Sequence, residues 1–180
     1  HAGETSLCPD MALALDLSAR REEPTVNVLG LLRTDKERVT EPSKNNYGRD
    51  FEISDWLGEP SYFERVILKR IDRVVKRYPR HRRMLSTAKP LLYNRLATQR
   101  LCRGCSLLST GRVVITDRLH GHVLCTLLSI PHVVLDNSYG KISRFRQAWN
   151  TGEGLCEVAD NLGDALDSAY RMTDSLNSTL

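Results

Sequence analysis

At 180 residues with 41% hydrophobic content, the chain is the size of one domain, or of one domain with an excursion, and can bury a core. Its 26 basic and 22 acidic residues give a net charge of +4. With no long block of one sign, a polyanion partner is permitted but not demanded. No apolar run approaches the ~18 residues of a membrane span, and five scattered cysteines do not make a disulfide scaffold but suit a reducing compartment.

The first residues, His1-Ala-Gly-Glu4, lack the basic and apolar regions of a signal peptide. With no initiator Met, a fragment or processed form is expected. Ser6 to Asp10 suits a short strand end and a turn, and Met11 to Leu17 is apolar and ambiguous between strand and helix. Ser18 to Thr25 is a charged loop containing Pro24. Val26 to Leu32 is nearly continuous in apolar residues, as in a strand buried on both faces of a parallel sheet. It stops at Arg33. Residues 39–50 form a polar loop, and Phe51 to Leu57 predicts another strand.

Ser61-Tyr-Phe-Glu64 has capping-box spacing. Phe63, Val66, Ile67, Ile71, Val74, Val75 and Tyr78 then make one helical stripe, opposite Arg65, Lys69, Arg73, Lys76 and Arg77. Arg80, His81, Arg82 and Arg83 extend the charge beyond Pro79. With little aromatic interleaving and no nucleic-acid motif, the basic face reads as solvated rather than as a nucleic-acid surface. A second helix is predicted from about Pro90 to Leu108, with Leu91, Leu92, Leu96, Leu101, Leu107 and Leu108 in the core. It carries a lone Cys102-Arg-Gly-Cys105. A structural zinc site needs two more ligands at matched spacing. Cys125 and Cys156 do not make that pair, so the cysteines read as small core hydrophobes.

The chain is organised around Arg112-Val-Val-Ile-Thr-Asp-Arg-Leu-His-Gly-His122. Apolar residues end in Thr116 and Asp117. Helical spacing then begins at Leu119, Val123, Leu124, Leu127 and Leu128. A buried strand and an amphipathic helix follow, with Thr116 or Asp117 as cap. Arg118 and His120 are thereby expected in the first helical turn, whose unpaired N–H groups and positive dipole end suit an anion. The plainer alternative for Arg118 is an ion pair with Asp117. Ile130 to Leu135 predicts a third buried strand ending in Asp136-Asn-Ser-Tyr-Gly-Lys141. A helix from about Ile142 to Trp149, a short strand from Gly154 to Ala159, and a last helix from a cap at Asp160 to about Met172 complete the pattern. Residues 1–172 are expected as a single domain, with 173–180 a frayed tail.

Alternating strands and helices predict an α/β fold, a Rossmann-like parallel sheet with helices on both faces. Ligands of such sheets bind at the carboxyl ends of the strands. Three of those ends are unusually equipped here: Arg33, then Arg118 with His120, then Asn137 with Lys141, and Asp10 is a fourth candidate. Two guanidiniums and an ammonium on one rim suit a small anion bearing carboxylate and phosphate. His120 adds a proton carrier near neutral pH. His122 lies on another side of the helix, and His81 and His132 read as structural.

Val114 to His122, Ile130 to Lys141, Leu31 to Glu37 and, more weakly, Cys8 to Ala12 together resemble the polysaccharide pyruvyl transferase family, with Arg118-Leu119-His120 the specific part. That resemblance implies one half, the carboxy-terminal one, of a glycosyltransferase-B-like fold, in a family whose members are nearly twice this long. It implies phosphoenolpyruvate as donor, a sugar of a surface polysaccharide or glycan as acceptor, and a cyclic pyruvate ketal as product. Donor-binding roles map onto Arg118, Leu119 and His120, onto Arg33, and less securely onto Asn137 and Lys141. His120 and Arg118 are the expected catalytic residues. The scheme calls for no metal and no cofactor beyond the donor substrate, and a homo-oligomer is compatible with it. A cytoplasmic location is expected, or the Golgi lumen in a eukaryote. The rival functions are a nucleotide-sugar-dependent glycosyltransferase of similar architecture and a non-catalytic anion-binding domain.

Overall fold

The computed structural model describes residues 10–17, 23–33, 51–56, 62–78, 82–136 and 140–178. The polar loop at 39–50, His81 and Asn137 lie outside them. The strands are β1 (Val26–Leu31), β2 (Phe51–Ser54), β3 (Gly111–Thr116), β4 (His132–Leu135) and β5 (Cys156–Ala159). The helices are α1 (Tyr62–Arg77), α2 (Arg82–Thr110), α3 (Leu119–Leu127), α4 (Lys141–Trp149) and α5 (Leu162–Asn177). A 3-10 turn at Met11–Ala14 occupies the ambiguous apolar segment.

Trp56–Gly104 forms one compact unit, and the residues before and after it form another. Within the smaller unit, Leu96 is buried, but Val74, Tyr78 and Leu91 stand exposed. α2 also begins earlier than expected and contains Pro90, whose missing N–H removes one bond from the helical ladder.

The larger unit holds one parallel sheet in the order β2-β1-β3-β4-β5. Its central strands are largely apolar because both faces are covered. Val28, Val113, Ile115, Val133 and Leu135 pack with Leu162, Ala165, Leu166 and Ala169 of α5. Val114 and Val134, which alternate with these, are also fully buried. α3 packs on β3 and β4, and the 3-10 turn packs on α3. α5 runs to Asn177, past the expected frayed end. Thr173 is 3% exposed, and its hydroxyl donates to the Ala169 carbonyl at 2.9 Å. The cap of α5 is Asn161, not Asp160: its side-chain oxygen accepts from the Asp164 N–H at 3.0 Å.

A short polar chain runs through this core. His132 Nδ1 lies 2.8 Å from the Ile130 carbonyl oxygen, which can only accept, so this nitrogen carries the proton. His132 Nε2 is then an acceptor for His122 Nδ1–H at 2.8 Å. His122 Nε2 in turn takes the Thr151 hydroxyl proton at 2.9 Å. Both rings are fully buried and fully satisfied in the neutral state. Burial, followed by the His132 and Arg146 charges, pushes His122 down to about 3. Burial pushes His132 down to about 4, the Ile130 bond opposing and Arg146 adding to the drop.

Two outcomes follow from this packing. In unfolded chain both histidines titrate near ~6.5, so below that pH the unfolded state binds protons that the folded state refuses. Stability should therefore be full above about pH 7 and fall as pH drops, by up to about 1.4 kcal/mol per pH unit for each histidine. Urea unfolding at about pH 7.5 and about pH 5 measures this, and an unchanged midpoint contradicts it. Second, a Cβ on Gly121 would sit 2.5 Å from Thr116 Oγ1 and 3.3 Å from Leu31 Cδ2. Gly121→Ala must push α3 off the ends of β1 and β3. The expected loss is about 1–3 kcal/mol in the same assay, and a loss below the scatter of replicates would show that α3 has slack there.

Candidate active site

From β1 the chain goes to β2 on one side, and later returns to β3 on the other. The winding direction thus reverses between β1 and β3, and the carboxyl ends of the strands at such a reversal are the usual ligand position, a crevice, in open α/β sheets. The last paired residues of that ladder are Leu31 and Thr116. Arg33 lies two residues past one, and Arg118 two residues past the other.

Side chains tie the two ends together where the ladder stops. Thr116 Oγ1 donates to the Leu31 carbonyl at 3.0 Å and accepts from the Arg118 N–H at 3.1 Å. The Asp117 carboxylate accepts the Arg33 N–H, its oxygens 3.0 and 3.1 Å from that nitrogen. Neither Thr116 nor Asp117 caps α3. Arg118 itself is the extended cap residue, and no side chain closes the helix end. Arg118 therefore stands just outside the first turn, with Leu119 and His120 as its first two residues. Asp117 is buried, and burial raises its pKa. The Arg33 N–H and the charges of Arg118 and Arg33 work in the opposite direction. Both guanidinium charges are thus felt by one carboxyl group.

Arg118 does not pair with Asp117 as the plainer reading expected. Its Nη2 donates to Asp55 Oδ1 at 2.6 Å, with both side chains largely shielded. Asp55 follows the last residue of β2, so this guanidinium links the end of β3 to that of β2. Its Nε–H is buried and has no hydrogen-bond partner among the described residues.

His120 is exposed, with Nε2 3.4 Å from Asp10 Oδ2. Asp10 is itself held, because its Oδ1 accepts the Ala12 N–H at 2.9 Å and caps the 3-10 turn. Leu119 is half-buried beside it. Lys141 is exposed at the first position of α4, beyond the end of β4, the next strand over. The amino end of α4 is already occupied by Asp136, whose oxygens accept from Ile142 N–H at 3.1 Å and Ser143 N–H at 2.8 Å. An anion is thus offered the open end of α3, not that of α4.

Asp117, Asp55 and Asp136 were not singled out as site residues by sequence. Two of them act on groups that local pattern does not reveal: Asp117 reaches 84 residues back and Asp55 pairs 63 residues forward. His122 and His132 lie away from this rim, in the core near the start of β4. No helix among the described residues is long and apolar enough to cross a membrane.

Pyruvyl transferase 1 of Schizosaccharomyces pombe is 46% identical over 67 residues, 35% of this chain and 17% of that protein. General stress protein 30 of Bacillus subtilis is 28% identical over 174 residues, 93% of this chain and 42% of that protein. The chain thus spans less than half the length of these relatives. Residues 2–139, which contain the whole β1–β3 crevice, match the family described as Polysaccharide pyruvyl transferase, and the chain belongs to that family.

Proposed function

We propose that the full-length protein transfers a pyruvyl group from phosphoenolpyruvate to hydroxyls of a sugar in a surface polysaccharide or glycan. The observation that carries this reading is the Arg118 guanidinium. It sits at the crevice with Arg33 beside the same carboxyl group and keeps a buried Nε–H without a partner among the described residues. Two guanidiniums suit the paired charges of phosphate and carboxylate on one small acid. The uncapped amino end of α3 adds backbone N–H donors to the same place. Lys141 is a further cation for the phosphate, and Leu119 provides half-buried apolar surface at the entry of the helix. Asn137, outside the described residues, is a further polar group proposed for the donor.

In this scheme His120, as imidazolium, gives its proton to the terminal enol carbon. Positive character then develops on the neighbouring carbon, which still bears the phosphate oxygen. A sugar hydroxyl attacks that carbon and loses its proton to a base. The carbon–oxygen bond to phosphate breaks, and a second hydroxyl closes the ring and loses its proton in turn. Of the two protons released, one offsets that spent on carbon and one leaves with inorganic phosphate. Asp10, near His120, steadies the imidazolium before transfer and keeps the ring in place. Phosphoenolpyruvate is consumed as a substrate, and this scheme routes no step through a metal or other cofactor. A bacterial protein of this kind would work in the cytoplasm, and a eukaryotic one in the Golgi lumen.

His120→Ala in the full-length protein should lower donor turnover by about 10²–10⁴-fold while leaving the fold intact. A fall of less than about tenfold removes His120 from the proton-transfer role. Binding is read separately, by thermal shift. Phosphoenolpyruvate should raise the melting temperature of the wild type and not that of Arg118→Ala. Stabilisation by nucleotide-sugars and not by phosphoenolpyruvate would replace this reading with that of a glycosyltransferase. Phosphoenolpyruvate binding without phosphate release, with glycan acceptors present, would leave only an anion-binding domain.

A further inference from the structure

A second cluster lies away from the crevice, where β4 and β5 begin. His132 and Cys156 are paired neighbours in the β4–β5 ladder, and His122 reaches them from α3. One ligand atom from each of these three residues lies within 4.8 Å of the other two. We propose that His122, His132 and Cys156 form a binding site for a thiophilic first-row transition-metal ion of the zinc class, fastening α3 to the two strands.

The hydrogen-bond pattern is that of a metal site holding a proton. A ligating histidine almost always donates its other ring N–H to a carboxylate, carbonyl or water. His132 Nδ1 already faces the Ile130 carbonyl at 2.8 Å, and His122 Nε2 faces the Thr151 hydroxyl at 2.9 Å. The remaining nitrogens, His122 Nδ1 and His132 Nε2, face each other at 2.8 Å with one proton between them. Tetrahedral bonds of ~2.0–2.1 Å place two ligand nitrogens about 3.3 Å apart, so the rings need separate by only about half an ångström. The His122 proton then moves to Nε2, where the Thr151 oxygen accepts it. The Cys156 thiol gives up its proton to solvent, and the thiolate takes the third position. The weak thiol contact to the Glu157 carbonyl, 3.5 Å long, is lost in exchange.

The backbone is shaped around the same three residues. Gly152 has φ +74, and a Cβ there would lie 2.9 Å from Cys156 Cβ and 3.0 Å from His122 Cε1. Its carbonyl accepts the N–H groups of Leu155 and Cys156 at 3.0 and 2.9 Å, so the turn closes directly over the cluster. A cleft of about 420 Å³ lined by Arg146, Asn150 and Thr151 adjoins it. Two imidazoles and one thiolate select zinc-like or cuprous ions over magnesium and calcium, which prefer oxygen. Arg146, which donates to the Cys156 carbonyl at 3.2 Å, is the neighbouring cation, and it makes an anionic fourth ligand more favourable than a neutral one.

The test uses the protein freed of metal by a chelator and kept reduced, titrated with Co²⁺ alone. A single equivalent should produce a sulfur-to-cobalt charge-transfer band with the visible bands of a four-coordinate ion. Cys156→Ser, a change at a half-exposed position, should abolish the charge-transfer band, and His132→Gln should weaken binding at least tenfold. Zn²⁺ should raise the melting temperature of the wild type and not of Cys156→Ser. The proposal fails if no such band forms. It fails equally if the band survives Cys156→Ser but disappears in Cys102→Ser, which would assign the thiolate to the other cysteine pair. Circular dichroism of Cys156→Ser separates loss of the ligand from loss of the fold.

Discussion

The site depends on how the sheet ends between β1 and β3. A parallel ladder cannot simply stop in a buried place, because its next N–H would be left without an acceptor. Here the Asp117 carboxylate takes the Arg33 N–H, and the Thr116 hydroxyl bridges Leu31 and Arg118. These contacts extend the seam two residues past the last backbone pair. They hold Arg33 and Arg118 at adjacent strand ends beside Asp117. An unpaired buried donor costs about 1–3 kcal/mol, so the arrangement is held by stability as well as by use.

Much of this architecture is legible in the sequence. Continuous apolar runs at Val26–Leu31, Gly111–Thr116 and His132–Leu135 mark strands covered on both faces, and their abrupt polar endings mark the rim. What local pattern cannot state is the partner of a side chain across the fold. Thr116 and Asp117 have the composition of a helix cap, but a carboxylate near two donors takes the one that geometry offers, and that is the Arg33 N–H. Arg118 has an acid next to it in sequence and pairs instead with Asp55. Helix faces mislead for a related reason. Periodicity reports an apolar stripe but not how much of it finds a neighbour, and Val74, Tyr78 and Leu91 remain exposed.

α3 serves two ends of the domain at once. His120 and His122 are two residues apart, about 200° around the helix, so one faces solvent at the rim and the other is sealed in the core. Gly121 between them allows close approach to Thr116 and Leu31. The helix is thereby fixed at its entry by the sheet and along its body by the His122–His132 contact. His120 is exposed, yet it is carried by a rigid support, which is how a flexible-looking surface histidine can hold a defined position.

The Asp55–Arg118 pair sets a limit on how the rim can work. A cation beside a helix amino end is unfavourable by about 0.3–1 kcal/mol, and Asp55 offsets that cost. An anion entering the crevice must then share Arg118 with a carboxylate already 2.6 Å from it. One guanidinium nitrogen is committed to Asp55, and the Nε–H is buried with no hydrogen-bond partner among the described residues. Asp55 therefore fixes the guanidinium plane before any ligand arrives, removing rotamer entropy from the binding step, while its charge opposes anions that lack a second cation. Under the proposed donor-binding role, Arg33 on the neighbouring strand would be that second cation, and the Asp55 pairing would favour an acid with two separated charges over a singly charged one.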